Sequence, residues 1–309
     1  MDSTRSNTRR TGFPMRVVVT GANGFLGSRL VGRLAANGHR VVAVGQGVVA
    51  AGCEIVDGRF DVCDWSRVGA IDILFHFAAI NDTSIRDEDE IRRVNVDAAL
   101  ECFERAIGAG CRGIVYASSM HVYGRAPAPM TVAGSIPAPV SLYGRSKLQL
   151  ERETTALCQE QGVGCVGLRF ANVYGPGESH KGRMASQVLQ IARQMRTGNP
   201  EIYAPGTQVR DFVHVDDAAD ATVKAAALAA GGACRILNCG SGVGTSFNDL
   251  VAMLNAAIGL DRTPRYLPEP PGYLGAVVLD VAETVSLLSW HPRPLRTGLE
   301  DYLASGECR

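Results

Sequence analysis

The order of apolar and polar positions predicts a chain in which strands alternate with helices. Continuous apolar runs, typical of buried strands, lie at 16–20, 39–44, 71–79, 112–119 and 164–170. Helical stretches lie between them, at 27–38, 91–109 and 146–161. Alternation of this kind predicts βαβ units. Because the runs are apolar throughout, they fit the strands of a parallel sheet that is covered by helices on both faces.

The pattern becomes richer in loops after Asn172. Helices are predicted near 184–197, 217–230 and 247–258, and strands at 210–215 and 234–240. We expect one strand-helix-strand unit, 208–240, to return to the main sheet. The sequence therefore predicts an α/β fold with a doubly wound parallel sheet. The expected divisions are a flexible tail at 1–14, a sheet domain at 15–171 plus 208–245, and a smaller domain at 172–207 plus 246–309.

Composition and charge narrow the classes of function. Of the 309 residues, 46% are hydrophobic and 20% are charged, which is typical of a packed globular protein. Lys and Arg number 31, as do Asp and Glu, so no basic excess favours nucleic acid or an anionic membrane surface. No apolar run approaches the ~20 residues of a membrane span. The polar segment 1–14 lacks the apolar core of a signal peptide.

The nine cysteines predict a reduced protein. Their number is odd, they are widely scattered, and no C-x-x-C pair occurs. Thiols in this arrangement are typical of cytosolic proteins, so we expect a cytoplasmic location. The histidines at 121, 180 and 214 are too scattered in the sequence to predict a metal site, and we expect none.

A glycine-rich turn follows the first predicted strand. Its glycines have the spacing G-x-x-G-x-x-G, directly after the strand 16–20 and directly before a helix. Small residues let the backbone turn tightly and approach a pyrophosphate, and the free N–H groups at the helix start attract the anion. In this context the motif predicts a dinucleotide-binding site. The predicted contacts are Gly21, Asn23, Gly24, Phe25, Leu26 and Gly27.

The sequence leaves the choice between NAD and NADP open. An acidic residue at the end of the second strand usually accepts the ribose 2′-hydroxyl of NAD. Here a Gly-Gln-Gly segment, 45–47, takes that place, and no arginine follows directly to bind the 2′-phosphate of NADP. Asp61 and Val62 follow a further strand expected between the runs 39–44 and 71–79, at a place where a carboxylate can meet the adenine amino group, although a solvated loop acid explains Asp61 equally well. Ala78, Ala79, Tyr143 and Lys147 complete the expected cofactor contacts.

Tyr143 and Lys147 predict a proton-transfer site. They are four residues apart and therefore share one face of a helix. A nearby cation favours phenolate over phenol, which turns a tyrosine of unperturbed pKa about 10 into a usable general base. Ser119, at the carboxyl end of a predicted strand, can complete the site by hydrogen-bonding the same substrate hydroxyl. The alternative for Tyr143 and Lys147 is an unremarkable surface pair.

Seven motifs resemble, in their order, the extended short-chain dehydrogenase/reductase superfamily in its sugar-nucleotide epimerase/dehydratase branch. They are TGANGFLG, DVCD, IDILFHFAA, YASSMHVYG, YGRSK, RFANVYGPG and RDFVHVDD, and the resemblance covers nearly the whole chain from Met15. It implies a Rossmann-type dinucleotide-binding domain, a smaller C-terminal substrate-binding domain and a catalytic set of Ser119, Tyr143 and Lys147. It also places Arg210 against the substrate diphosphate, a task that suits a guanidinium fork. The other implied substrate contacts are Asn81, Ser119, Met120, Asn172, Lys181, Arg183 and Tyr273.

Two segments bear on the reaction. Where family dehydratases carry an Asp-Glu pair after the catalytic Ser or Thr, this chain has Met120 and His121, which disfavours a 4,6-dehydratase because a thioether moves no protons. The run HKGRMAS at 180–186 resembles ADP-L-glycero-D-manno-heptose 6-epimerases more than UDP-galactose 4-epimerases. In that subfamily the lysine that matches Lys181 is implicated as a second catalytic acid/base group. A loop lysine that contacts phosphate is the alternative for Lys181.

The resemblance implies a nicotinamide-dependent epimerase that regenerates its cofactor in each turnover. Tyr143 takes a hydroxyl proton while a hydride passes to the nicotinamide, and the hydride then returns to the other face of the ketone. We expect a nucleotide-sugar substrate, with an ADP-heptose favoured, and a homodimer through the helices near 91–109 and 146–161. The alternatives are a sugar-nucleotide 4-epimerase, a dehydratase or a ketoreductase and, outside enzymes, an NAD(P)-sensing binding protein. The segment 270–275 offers only Tyr273 as a polar contact, so the sequence does not predict which base the substrate nucleotide carries.

Overall fold

The structure is a computed structural model that describes residues 14–47, 51–82, 84 and 86–307. The strands are β1 (Arg16–Thr20), β2 (Arg40–Gly45), β3 (Glu54–Asp57), β4 (Ile73–His76), β5 (Gly113–Ser119), β6 (Gly164–Phe170), β7 (Asn172–Tyr174), β8 (Glu201–Tyr203), β9 (Val209–His214), β10 (Cys234–Cys239), β11 (Gly244–Ser246), β12 (Arg265–Leu267) and β13 (Ala276–Val277). The predicted tail at 1–14 lies outside the described residues except for Pro14, which is exposed.

Helices connect most of these strands. They are α1 (Phe25–Ala36), α2 (Glu88–Arg92), α3 (Ala98–Gly108), α4 (Leu142–Gln161), α5 (Gln187–Thr197), α6 (Val215–Ala230), α7 (Phe247–Ile258), α8 (Ala282–Leu288) and α9 (Leu295–Ala304). A π-helical turn, Arg93–Asp97, joins α2 to α3, so the stretch predicted as one helix is nearly continuous. No helix in the described part of the chain combines the length and the apolarity that crossing a membrane requires.

Seven parallel strands of the described residues form the central sheet, in the order β10-β6-β5-β4-β1-β2-β3. From β1 the chain moves outward through β2 to β3, then returns to the opposite side of β1 with β4 and continues to β5 and β6. This reversal is the doubly wound topology, and it confirms the predicted α/β fold with a Rossmann-type sheet. It also opens a crevice beyond the carboxyl ends of β1 and β4, where sheets of this kind bind ligands.

Helices cover both faces of this sheet, as the continuous apolar runs predict. On one face α1 and α6 pack together, with Leu30, Leu34 and Ala225 in the shared core. On the other face α3 and α4 contribute Phe103 and Leu150. All five side chains are fully buried. Removing a Leu or Phe side chain from water contributes ~1.5–3 kcal/mol. These two helix layers fix the position of the sheet edge at which the site residues lie.

The prediction that the whole unit 208–240 returns to the main sheet is wrong for its first strand. β10 joins the main sheet beside β6, but β9 lies in a small separate sheet with β7, β11 and β13. The physical reason is Asp211, a buried carboxylate on β9 that accepts hydrogen bonds from the backbone N–H groups of Ser241, Gly242 and Leu279. These bonds tie β9 to the segments around β11 and β13, a preference that hydrophobic periodicity does not encode.

A third apolar cluster lies apart from the two that cover the main sheet. It includes Leu189, Phe212, Leu254 and Leu299, and all its buried members lie at or after Tyr174. A separate core supports a division into a dinucleotide-binding part and a smaller substrate-binding part, which stays our proposal. Because Phe212 belongs to this core and β9 lies in the small sheet, the boundary expected at 208 would move to the end of β9.

Candidate active site

A cavity of about 970 Å³ lies at the carboxyl ends of β1, β4 and β5. Its size is within the ~300–1,000 Å³ range of small-molecule sites. Most of the predicted site residues line it, namely Gly21, Asn23, Gly24, Phe25, Leu26, Gly27, Ala78, Ala79, Asn81, Ser119, Met120, Tyr143, Lys147, Asn172, Lys181 and Arg183. Four predicted residues lie outside this lining: Asp61, Val62, Arg210 and Tyr273.

The glycine turn after β1 forms one wall of the cavity. Gly21 has a φ of +69°, and a Cβ at this position would lie 2.6 Å from the backbone nitrogen of Ala78. A Cβ on Gly27 would overlap the carbonyl oxygen of Gly21. The turn therefore requires glycine at both positions, and this lets the start of α1 approach the loop that follows β4.

The start of α1 fits a bound diphosphate. Gly24 precedes the helix and supplies no side-chain cap, and the first turn contains no acidic residue. By contrast, Ser141, Ser186 and Ser246 cap α4, α5 and α7. The first N–H groups of a helix need partners and attract anions. Because residues 24–27 line the cavity, the groups present suit the pyrophosphate of a dinucleotide.

The first turn of α4 carries Tyr143. The helix begins at Leu142, four residues before its predicted start, because the Ser141 hydroxyl accepts a hydrogen bond from the Gly144 N–H at 3.0 Å. A serine cap of this kind fixes where a helix begins. Tyr143 is thereby held at the mouth of the crevice, where the N-terminal turn of α4 meets the end of β5.

Lys147 and Ser119 lie beside Tyr143. Lys147 is only 2% exposed, and its Nζ donates to the Ala117 carbonyl oxygen at 2.8 Å. The same Nζ lies 5.8 Å from the centroid of the Tyr143 ring. Ser119, the last residue of β5, is buried, and its hydroxyl interacts with the Tyr143 side chain. The structure thus brings together the three residues that the sequence predicts to be catalytic.

Burial shifts the pKa values of both titratable groups in this set. It raises the pKa of Tyr143 to about 12, because the phenolate loses solvation, while hydrogen bonding with Ser119 opposes the rise. It lowers the pKa of Lys147 to about 8, because burial disfavours the ammonium, and the Glu151 carboxylate acts in the opposite direction. The Lys147 ammonium can therefore lose a proton only a little above neutral pH.

A buried ion pair lies behind Lys147. Glu151, one turn further along α4, accepts hydrogen bonds from Nε and Nη2 of Arg169 at 2.8 and 2.6 Å, and neither side chain is more than 5% exposed. The Ser118 hydroxyl donates to the same carboxylate. These contacts join α4 to the ends of β5 and β6. They fix the helix that carries Lys147 against the strand that ends in Ser119.

Lys181 reaches the cavity from a separate segment, the 3-10 turn Ser179–Met184. Its Nζ lies 5.1 Å from the centroid of the Phe25 ring, where a cation–π contact holds it. Burial lowers the pKa of Lys181, and the Glu178 carboxylate partly offsets this effect. The cavity therefore contains a second desolvated ammonium besides Lys147.

Other predicted substrate contacts surround this region. Arg183 forms an ion pair with Asp82 at 2.7 Å, which links the loop after β4 to the segment that carries Lys181. Asn172 donates its amide to the Asp211 carbonyl oxygen at 2.9 Å and lies 3.8 Å from the Met120 sulfur. Asn172 and Met120 are thus held in place before any ligand binds.

Two histidines near the site differ in environment. His121 lines the cavity, and its ring lies edge-on to Tyr143 with centroids 5.7 Å apart. Burial lowers the pKa of His121, and the charge on Arg210 adds to the effect. His76 packs against Phe60 inside the fold, and burial lowers its pKa to about 3. His76 is thus a packed structural residue and not part of the site.

Arg210 and Tyr273 are brought together outside the cavity lining. The Arg210 guanidinium lies 4.8 Å from the Tyr273 ring centroid and 5.6 Å from that of Phe247. It is 8% exposed and donates to the Val209 carbonyl oxygen, and no carboxylate among the described residues forms an ion pair with it. The neighbouring Asp211 instead accepts backbone N–H groups. A stacked guanidinium of this kind suits an anionic ligand.

Asp61 and Val62 lie beyond β3. The Asp61 carboxylate accepts hydrogen bonds from Nε and Nη2 of Arg59 at 3.0 and 2.6 Å, and Arg93 lies 3.8 Å from it. Val62 is 75% exposed. In this segment Arg59 and Phe60 line the cavity. Arg59 thus competes for the carboxylate that the sequence assigns to adenine.

Sequence reasoning missed Asn95, which positions the loop after β4. Its side chain accepts a hydrogen bond from the Ile80 N–H and donates to the Ile80 carbonyl oxygen, both at 2.8 Å, and it also lies 3.1 Å from the Ser146 hydroxyl. The loop is thereby tied to α4 near Tyr143. A polar residue inside an otherwise helical apolar stretch is the only signal that could have found it.

Known proteins resemble this chain over most of its length. Residues 17–240 match the profile of the NAD dependent epimerase/dehydratase family. The chain is 32% identical over 296 residues to the UDP-glucose 4-epimerase of Mycolicibacterium smegmatis, covering 90% of this chain and 94% of that protein. It is 33% identical over 262 residues to the ADP-L-glycero-D-manno-heptose-6-epimerase of Cupriavidus pinatubonensis, covering 78% and 77%. The structure of MoeE5 in complex with UDP-glucose and NAD matches with a TM-score of 0.84 at 33% identity, over 94% of this chain and 97% of that one.

The chain therefore belongs to the NAD dependent epimerase/dehydratase family, within its sugar-nucleotide epimerases. This confirms the resemblance drawn from the seven motifs and the prediction of a nicotinamide-dependent enzyme. The relatives divide between a 4-epimerase and a 6-epimerase. They fix the type of reaction but not the sugar.

Proposed function

We propose that the protein is an NAD-dependent epimerase that inverts carbon 6 of an ADP-activated heptose, with Tyr143 and Lys181 as its two proton-transfer groups. The observation that carries this proposal is the presence of both side chains in one cavity. Tyr143 comes from α4 and Lys181 from the turn before α5. A site that holds two acid/base groups on different segments can serve a hydroxyl in either configuration.

The cofactor is held by residues at the end of β1. The N–H groups at the start of α1 would bind the pyrophosphate, and Gly21 and Gly27 let the backbone come close to it. A bound nicotinamide ring supplies the chemistry of accepting and returning a hydride. Ala78 and Ala79 contribute small apolar side chains to the wall of the same cavity.

Tyr143 moves the proton in the first half of the reaction. Tyr143 accepts the proton of the substrate hydroxyl as one member of a pair with Lys147, whose Nζ lies 5.8 Å from its ring, once this pair has lost a proton. Ser119 orients that hydroxyl by hydrogen bonding. The Lys147 contact to the Ala117 carbonyl oxygen keeps the ammonium in place while the charge on Tyr143 changes.

Lys181 serves the opposite configuration. In the inverted sugar the hydroxyl points away from Tyr143, and a second group must give or take its proton. Burial lowers the pKa of Lys181, so a proton leaves it more easily than from an exposed lysine, while the contact with the Phe25 ring keeps the ammonium in position. Phe25 holds the cation without adding a negative charge that would raise this pKa.

The diphosphate of the substrate is assigned to Arg210. Its guanidinium is buried between two aromatic rings and is free of carboxylate partners among the described residues, so a diphosphate would neutralise it. Tyr273 packs against it. Asn81, Asn172 and Met120 would then contact the sugar, which places the reacting carbon near Tyr143.

A UDP-glucose 4-epimerase is the second candidate, because the mycobacterial relative with that name covers 90% of this chain. Incubation with ADP-D-glycero-D-manno-heptose, without added cofactor, should yield the L-glycero epimer, detected by NMR or chromatography. UDP-glucose should turn over at least about 100-fold more slowly, because a site that hydrogen-bonds one sugar rejects another that leaves its polar groups unpaired. Preferred turnover of UDP-glucose would overturn the heptose assignment and leave the family assignment intact.

The role of Lys181 is tested in the same assay. Lys181→Met should lower heptose turnover about 100-fold, the usual contribution of a positioned proton-transfer group. The matched control is Lys224→Met, since Lys224 lies on α6 outside the cavity lining and its ammonium donates to the Ser289 carbonyl oxygen. Equal turnover of the two variants would contradict a catalytic Lys181.

The kcat/KM should rise about tenfold per pH unit up to about pH 8 and then level off. The reason is that Tyr143 and Lys147 share their protons, and the substrate can transfer its proton to this pair only after the pair has released one proton to solvent. Burial brings the pKa of Lys147 to about 8, so the pair holds both protons below this pH. A steady-state pH profile checks this, and Lys147→Met should abolish the inflection. A wild-type profile without an inflection in this region would show that the pair does not control the reaction.

A further inference from the structure

Arg59 lies where dinucleotide-binding folds recognise the adenosine ribose. It follows Gly58, whose N–H donates to the carbonyl oxygen of Gly45, the last residue of β2, at 3.4 Å. Arg59 and Gln46 both line the cavity. The end of β2 is the place from which such folds distinguish a ribose 2′-hydroxyl from a 2′-phosphate. A free arginine there would favour the phosphate.

The Arg59 guanidinium is not free, because it already binds the carboxylate of Asp61. Nε and Nη2 of Arg59 both donate to the Asp61 carboxylate, at 3.0 and 2.6 Å. The carboxylate is only 7% exposed, so water screens this pair weakly on the acidic side. A guanidinium that already makes a bidentate ion pair has little left to offer a phosphate.

We propose that Asp61 makes this protein select NAD over NADP by holding the Arg59 guanidinium in an ion pair. This preference for NAD would arise although the end of β2 lacks the acidic residue that usually accepts the ribose 2′-hydroxyl. A second carboxylate, that of Asp57, supports this proposal. Asp57 is the last residue of β3 and pairs in register with Gly45 of β2, and its side chain accepts a hydrogen bond from the Gly47 N–H at 2.9 Å. A 2′-phosphate would therefore meet carboxylates beside β2 and an arginine whose charge is already neutralised.

Asp61→Asn tests this inference. The change keeps the side-chain shape but removes the charge, which releases Arg59 toward the cavity. The ratio of the dissociation constants, Kd(NADP)/Kd(NAD), should fall about tenfold or more, the effect of one charge-assisted hydrogen bond on binding. Isothermal titration of the purified protein, after removal of any copurified cofactor, measures it. A contact of Asp61 with adenine would cancel in this ratio, since both cofactors carry the same adenine.

Two further variants keep the test specific. Asp64→Asn removes the same charge three residues away, from a carboxylate that binds Ser66, and should leave the ratio unchanged. Arg59→Gln combined with Asp61→Asn should abolish the gain, which excludes Arg93 as its source. An unchanged ratio in Asp61→Asn, an equal fall in Asp64→Asn, or a gain that survives the double change would each overturn the proposal.

This inference rests on the cofactor part of the proposed function and not on its sugar. Because the readout is cofactor binding, it stands even if the protein acts on UDP-glucose. Conversely, turnover of ADP-heptose with an unchanged Kd ratio would retain the proposed function and reject the role of Asp61.

Discussion

Replacing Tyr143 with phenylalanine should lower kcat by a factor of about 10²–10⁴ and leave the Kd for NAD within about threefold, since positioned proton transfer contributes that much to a rate. The ring, its edge contact with His121 and its distance to Lys147 all survive the change. Only the hydroxyl that accepts the substrate proton is removed. Single-turnover and steady-state assays on the preferred sugar nucleotide, with titration of NAD, measure the two effects separately.

The matched control for this substitution is Tyr266→Phe. Tyr266 lies on β12, is half exposed, and hydrogen-bonds Asn248 at 2.9 Å outside the cavity. Its loss should leave kcat unchanged. If Tyr143→Phe retained more than about a tenth of the wild-type kcat, another group would have to be the base, and His121, whose ring lies 5.7 Å from that of Tyr143, would be the first candidate.

The parts of the site that the sequence predicts are those encoded by local spacing. A glycine turn between a strand and a helix specifies its own backbone, as Gly21 and Gly27 show by the absence of room for a Cβ. A tyrosine and a lysine four residues apart share a helix face wherever the helix lies. The continuous apolar runs likewise predict a sheet covered on both faces, which the structure confirms.

The parts that the sequence does not predict depend on partners distant along the chain. The placement of β9 follows from Asp211 and backbone N–H groups that lie 30 residues or more away. The cation–π contact of Lys181 with Phe25 joins segments from opposite sides of the crevice. Periodicity reports which face of an element is apolar, but not which polar group a side chain meets across a cavity.

The buried pair of Glu151 and Arg169 should have the largest effect on stability. Glu151→Gln leaves the Arg169 charge buried without its carboxylate, and breaking such a pair costs about 3–5 kcal/mol. Arg169 also stacks on Tyr123 at 4.6 Å, so its side chain cannot swing into solvent without opening the core. Urea unfolding of wild type and variant measures the loss in the free energy of unfolding.

Two comparisons separate this cause from a general effect of the substitution. Glu160→Gln, at an exposed position on the same helix, should change the free energy of unfolding by less than about 0.5 kcal/mol. Glu151→Leu with Arg169→Met should recover most of the loss, because two apolar side chains remove both charges of the ion pair. Glu151→Gln should also move the inflection of the pH profile below about pH 8, since the carboxylate raises the pKa of Lys147. A stable Glu151→Gln variant with an unmoved inflection would show that the ion pair neither holds α4 nor acts on Lys147.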